Sequence, residues 1–217
     1  MKHEKILEDV GNYYTEKVKT FGATPKGVDW NSEESQQLRF EQLSKVIPDD
    51  EYFSILDYGC GYGSLYGWLA EKGKSFAYIG YDISEEMISE AKKRYGNGIS
   101  ISINDSPQIH LFQGKIPPSV TFEYIVASGI FNVKLDKTDK EWKAYITSTL
   151  RKMNKLSDKG FAFNILTKYS DKEFMKDNLY YADPAYWFNF CKKNFSKHVA
   201  LLHDYPLYEF TILVKKY

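Results

Sequence analysis

The sequence predicts an open α/β fold: a doubly wound sheet of seven strands, mostly parallel, closed by an antiparallel C-terminal hairpin and preceded by a helical cap. Three observations lead there. From Tyr52 onward short apolar runs alternate with stretches of helical period, the pattern of repeated βα units around a parallel sheet. The first of these runs, Ser54-Ile55-Leu56-Asp57-Tyr58, breaks into alternating glycines at Gly59, Gly61 and Gly63 before an amphipathic stretch, which reads as strand, tight turn and helix. The last two runs flank Tyr205-Pro206-Leu207-Tyr208 and read as a hairpin.

Residues 1 to about 50 carry helical period without strand alternation. Ile6, Leu7, Val10 and Tyr14 mark one helix; Leu38, Leu43, Val46 and Ile47 mark a second. The turn formers from Gly22 to Asn31 separate them, Ser32 is placed to cap the second helix, and Pro48-Asp49-Asp50 ends the cap. The core, residues 51–217, then opens with a strand over Phe53 to Tyr58 and a helix over Ser64 to Glu71. A strand over Phe76 to Tyr81 follows, then a helix that Ser84 caps, with Glu85 and Glu86 in its first turn, Lys92, Lys93 and Arg94 in its last, and Gly96 after it. Further strands are expected over Ile99 to Ile103, Tyr124 to Ser128, Phe161 to Leu166, Val199 to Asp204 and Glu209 to Lys215. Helices are expected from about Lys140 to Leu156 and from about Pro184 to Asn194.

Composition excludes several function classes. With 217 residues, 43% hydrophobic and 27% charged, the chain is one ordinary domain able to bury a core. Lys plus Arg equals Asp plus Glu at 29 each, so no bulk charge draws it to nucleic acid or to an anionic membrane. The start lacks an apolar signal region and no run is long enough to span a bilayer, so a cytoplasmic protein with no membrane insertion is expected. Cys60 and Cys191 make neither a disulfide framework nor a metal spacing, and the four histidines are scattered; no metal is expected.

Asp57 narrows the ligand of the glycine turn. Where such a turn seats a pyrophosphate, a carboxylate at the strand end repels it. A ligand carrying an ammonium or a sulfonium is attracted, and S-adenosylmethionine carries both. Asp82, closing the second strand, supplies a second carboxylate facing the crevice.

The order of the seven strands, the hairpin, and the turn Asp57-Tyr58-Gly59-Cys60-Gly61-Tyr62-Gly63 coupled to Asp82 resemble the class I S-adenosylmethionine-dependent methyltransferases, with their Rossmann-like sheet. The shorter stretches Gly27 to Ser32, Ser35 to Phe40, Ala127 to Asn132 and Leu201 to Tyr205 resemble a group of small bacterial enzymes associated with surface-polysaccharide (capsule or O-antigen) gene clusters. The resemblance implies a cofactor site built position by position. Asp82 accepts from the ribose hydroxyls or, alternatively, serves as a helix cap. Gly59, Cys60 and Gly61 let the backbone approach the cofactor, with Asp57 near its ammonium. Ile83 packs on the adenine. Asp105, followed by Ser106, accepts from the adenine amine or makes an Asx turn before Pro107. Ser128 ends the fourth strand beside the methyl group. In the cap, Arg39 forks onto the methionine carboxylate or is a surface residue, and Trp30 covers the cleft or is simply packed.

Methyl transfer from a sulfonium asks mostly for alignment. A neutral hydroxyl acceptor also asks for a base, and His203, Asp204 and Tyr181 are the candidates, with His110 placed after the third strand; each has an equally ordinary structural role. Tyr169, Tyr180, Tyr181 and Asp183, after the fifth strand, are expected to wall the substrate side. The fourth strand lacks the Asn/Asp-Pro-Pro-aromatic signature of amine methylation, which makes an oxygen the expected acceptor: a sugar hydroxyl, or a phosphoryl oxygen such as that of a phosphoramidate. The partner is then a small molecule or glycan precursor. Two other readings use the same residues: an NAD-dependent oxidoreductase, which Asp57 and the short chain disfavour, and a cofactor-binding module without chemistry.

Overall fold

In the computed structural model of the chain the described residues are 2–48, 52–96, 108–113 and 120–217. Helix α1 (Lys2–Phe21) and helix α2 (Glu33–Ser44) flank a loop with one 3-10 turn, Pro25–Val28. Ser32 caps α2 by accepting from the Ser35 amide, and the Ser35 side chain accepts from the Ser32 amide in return, so two of the donors left open at the helix start are satisfied. The chain then alternates: β1 (Phe53–Tyr58), α3 (Ser64–Glu71), β2 (Phe76–Asp82), α4 (Glu85–Tyr95), β3 (Gln108–Gln113), β4 (Phe122–Ala127), α5 (Asp139–Leu156), β5 (Ser157–Leu166), α6 (Pro184–Asn194), β6 (His198–Leu202) and β7 (Glu209–Lys215).

The seven strands lie in the order β3-β2-β1-β4-β5-β7-β6. The first five are parallel; β7 runs antiparallel to β5, and β6 antiparallel to β7. Apolar clusters cover both faces. One packs Phe131, Trp142, Ile146, Phe161, Trp187 and Phe210 between the sheet and helices α5 and α6; the other packs Leu43, Phe53, Ile55, Leu69, Tyr78 and Ile88 beneath α2, α3 and α4. Strands buried on both faces need continuous apolar runs, which β1 and β4 have. The strand order reverses between β1 and β4, and a crevice lies at their C-terminal ends.

The third strand departs from expectation. The run Ile99 to Ile103 and the pair Asp105 and Ser106 lie outside the described residues, whereas the described third strand is Gln108–Gln113. His110 therefore sits inside this strand, beside Ile79, and not after it; Gln113 is the residue opposite Asp82.

Candidate functional site

The turn after β1 is built on backbone geometry that glycine permits. Gly59, Gly61 and Gly63 have φ of 86°, 54° and 81°, in the left-handed region. The Gly59 and Cys60 amides both donate to the Tyr81 carbonyl, at 2.7 and 3.0 Å, which ties the turn to the end of β2. Gly61 N–H donates to Asp82 Oδ2 at 2.8 Å, and Ser84 N–H to Asp82 Oδ1 at 2.9 Å. The cap of α4 is Ser84, whose Oγ accepts from the Met87 amide, so Asp82 is not the cap; it ties the glycine turn to the capping residue. Asp82 also lines the crevice.

This turn forms one wall of a crevice with about 880 Å³ of empty space, its open mouth included. Asp57, Gly59, Cys60, Gly61, Asp82 and Ile83 line it on the sheet side, and Ser128, Gly129 and Ile130 line it at the end of β4. Helix α1 contributes Leu7, Val10 and Tyr14, the loop before α2 contributes Val28 and Trp30, and α2 itself contributes Gln36 and Phe40. Gly11 of α1 comes so close to Ile83 that an added Cβ would lie 3.3 Å from its side chain. Polar bonds hold this helix down: Thr15 Oγ1 lies 2.7 Å from Ser84 Oγ and donates to Glu86 at 2.9 Å, and Lys17 pairs with Asp29 at 2.7 Å.

The electrostatics are one-sided. Asp57 is 3% exposed, and burial pushes its carboxyl up to about 7, although the Tyr78 hydroxyl donates to Oδ2 at 2.7 Å and favours the charged form; the Asp82 charge adds to the rise. Burial also raises Asp82, opposed by the amides of Ser84, Gly61 and Ile83. Among the described residues that line the crevice none is Lys, Arg or His. Two buried carboxylates facing a cavity without a cation match a ligand that brings its own positive charge.

Sequence reasoning placed Trp30, Asp57, Gly59, Cys60, Gly61, Asp82, Ile83 and Ser128 in one site, and all of them line this crevice. Arg39 does not reach it. Its Nε donates to Glu209 Oε2 at 2.9 Å, its Nη1 donates to the Ser35 carbonyl at 2.7 Å, and its guanidinium lies 3.8 Å from the centre of the Trp30 ring. In place of the expected fork onto a ligand carboxylate, the guanidinium makes an internal ion pair with the buried Glu209.

The three residues considered as bases are also elsewhere. His203 and Asp204 are exposed and follow β6, which lies four strand spacings, about 19 Å, from β1. The His203 ring instead neighbours Tyr169 and Phe210, with centroids 6.0 and 6.1 Å away. The Tyr181 hydroxyl accepts from the Lys176 amide at 2.9 Å and serves its own loop. None of the three lines the crevice.

The crevice also holds residues that sequence reasoning missed. Tyr58, Tyr81 and Tyr145 line its α5 side, and Tyr62 and Gln36 the opposite side, where the Tyr62 hydroxyl donates to Gln36 Oε1 at 3.3 Å. Burial raises the phenols of Tyr58, Tyr81 and Tyr145, so they stay protonated. Tyr58 and Tyr81 were readable from position alone, each being the neighbour of an acid at a strand end.

Comparison with known proteins agrees with this geometry. Residues 55–153 match the family model described as a methyltransferase domain. Rv1506c of Mycobacterium tuberculosis (strain ATCC 25618 / H37Rv), a protein named as a candidate methyltransferase, is 45% identical over 172 residues, covering 79% of this chain and 98% of its own. Among solved structures, a DhpI-SAM-HEP complex superposes with a TM-score of 0.64 at 13% identity, over 97% of this chain and 98% of that one. Magnesium protoporphyrin IX methyltransferase (ChlM) from Synechocystis PCC 6803 with bound SAH gives 0.59 at 18% identity, over 83% of each chain. At these identities the two structures establish the shared fold.

Proposed function

The chain belongs to the class I S-adenosylmethionine-dependent methyltransferases, and from that premise we propose that it methylates an oxygen of a small molecule or of a capsule or O-antigen precursor in the cytoplasm. The buried acid pair at the crevice is the observation that carries the cofactor half of this reading. S-adenosylmethionine supplies a methyl group already activated by its sulfonium, together with an ammonium. Asp57 would hold the ammonium end, Asp82 the ribose hydroxyls, and Ile83 with Met87 the adenine side; the Gly59 to Gly63 turn leaves room for the backbone to approach. Tyr14, Trp30 and Phe40 exclude water from above.

The acceptor half rests on what the chain lacks at the end of β4. Ser128-Gly129-Ile130-Phe131 is not an Asn/Asp-Pro-Pro-aromatic signature, which favours an oxygen over an exocyclic amine. Among the described lining residues the titratable groups are two acids, the tyrosine phenols and the Cys60 thiol, itself raised by burial. None is placed as a base toward the acceptor side. A phosphoryl-type oxygen, already anionic, asks for none, and of the two oxygen classes it is the better match. No helix among the described residues is long and apolar enough to cross a membrane, and no group of three or more His, Cys, Asp or Glu among them could hold a metal.

The test has two arms. Calorimetry is expected to show binding of S-adenosylhomocysteine and none of NAD; NAD binding without S-adenosylhomocysteine binding refutes the cofactor assignment. Transfer of labelled methyl from S-adenosylmethionine to phosphoryl-modified sugars, compared with the unmodified sugars, then decides the acceptor class.

A further inference from the structure

Glu209 begins β7 at 0% exposure, outside the crevice, yet both its oxygens are spoken for by other elements. Oε2 accepts from Arg39 Nε at 2.9 Å, and Oε1 accepts from Asn164 Nδ2 at 2.8 Å. Asn164, also 0% exposed, accepts through Oδ1 from the Gly129 amide at 2.7 Å. On the other side the Arg39 guanidinium stacks on Trp30, whose ring lies against Gly129: an added Cβ there would fall 2.3 Å from Trp30 Cη2. The contacts close into a ring, Gly129 to Asn164 to Glu209 to Arg39 to Trp30 and back, joining the loop after β4, β5, β7, α2 and the loop before α2.

Only Trp30 and Gly129 of this ring line the crevice. A buried ion pair seldom earns its place by stability, because apolar residues of like volume serve as well. What it does supply is direction. Gly129 N–H and Arg39 are donors only and Glu209 is an acceptor only, so Asn164, with one acceptor and one donor, fits between Gly129 and Glu209 in one orientation. A shift of either neighbouring element leaves a buried group unpaired.

We propose that Glu209 is a positioning residue for methyl transfer: through Asn164 it fixes Gly129, through Arg39 it fixes Trp30, and so it holds the two halves of the wall beside the β4 end in register. The purpose of that wall rests on the methyltransferase reading; the ring itself does not. Ser128, next to Gly129, has a buried Oγ without a hydrogen-bond partner among the described residues and lines the same crevice, where an ordered wall would set its direction.

The polarity of the ring supplies a test that a merely structural role would not pass. In Glu209→Gln the new amide faces a donor on one side whichever way it turns. Pairing it with Asn164→Asp restores every bond: the aspartate accepts from Gly129 and from the glutamine amide, and the glutamine oxygen accepts from Arg39. Three signals are read: Gly129 amide hydrogen exchange by NMR, Trp30 emission taken by difference from Trp30→Phe, and S-adenosylhomocysteine affinity by calorimetry. Each single variant is expected to speed Gly129 exchange and weaken affinity by about tenfold, with a shift in Trp30 emission, and the double variant to recover to within about threefold of the parent. Single variants that match the parent, or a double variant no better than the singles, overturn the proposal. Should Glu209→Gln fail to fold, folding regained in the double variant supports the ring and failure in both overturns it. If S-adenosylhomocysteine does not bind the parent protein, the methyltransferase reading falls, while Gly129 exchange and Trp30 emission still decide the ring.

Discussion

Asp57 links the burial of one carboxyl to ligand affinity. Its carboxyl stands at about 7 because burial penalises the charge, and the described residues lining the crevice include no cation. A ligand ammonium beside it selects the ionised form, so binding must expel a proton whenever the carboxyl starts protonated. With the group at about 7, roughly a tenth is ionised one unit below and nine-tenths one unit above; affinity for S-adenosylhomocysteine should be about tenfold tighter at about pH 8 than at about pH 6. Calorimetry in two buffers of different ionisation enthalpy measures both the affinity and the protons released. Asp57→Asn removes the titrating group, so its affinity should be weak and its pH slope reduced to what Asp82 contributes. Equal affinities at both pH values in the parent protein, or an unchanged slope in Asp57→Asn, would refute the pairing of this acid with a ligand cation.

Other expectations follow from single contacts. Asp82→Asn cannot place an acceptor toward both the Gly61 and Ser84 amides, so it should weaken S-adenosylhomocysteine by about tenfold or more and also lower the melting temperature, both measurable on one sample. Gly129→Ala has no room beside the Trp30 ring; the displaced indole should change the emission that distinguishes the parent from Trp30→Phe, and an unchanged spectrum would mean the ring is not held there. His203→Ala and Asp204→Asn, exposed and several strands from the crevice, should leave S-adenosylhomocysteine affinity and methyl transfer within about twofold, and a large loss would return them to the site.

The sheet and the acid-glycine turn were legible because local rules decide them. Strand and helix periods, the Ser32 and Ser84 caps, and Gly96 all act within a few residues, and β1, α3, α6 and β7 fall on the expected residues. Arg39 shows where such reasoning stops. Whether an arginine meets a ligand or a carboxylate depends on a partner 170 positions away, which no local pattern reports. A signal did exist for the other end of that contact. Asn164 interrupts the apolar run Phe161-Ala162-Phe163 and Ile165, and a polar side chain in a strand buried on both faces requires a partner. His203 and Asp204 were misplaced for a different reason: they follow a strand ending on the correct edge of the sheet, but strand order decides how far along that edge they stand. The order β5-β7-β6 sends them to the far end.

The acid that attracts the cofactor also weakens the protein without it. Unfolded, Asp57 titrates near the ordinary aspartate value of 3.8; folded, at about 7. Between these the folded state holds a proton that the unfolded state has lost, so stability falls as pH rises through the window, by about 4 kcal/mol at most for this group alone. Asp82 and Glu209, raised by burial as well, pull in the same direction. A bound cation cancels the cost, and the melting temperature gained on adding S-adenosylhomocysteine should therefore be larger at about pH 8 than at about pH 6. Tyr78→Phe sharpens the comparison, because it removes the hydroxyl that favours the ionised carboxyl. The carboxyl of that variant should titrate higher still, and both the loss of stability and the gain on binding should move to higher pH. If Tyr78→Phe shifts neither profile, the carboxyl is not held by that hydroxyl, and the account of how burial and Tyr78 set the titration of Asp57 fails with it.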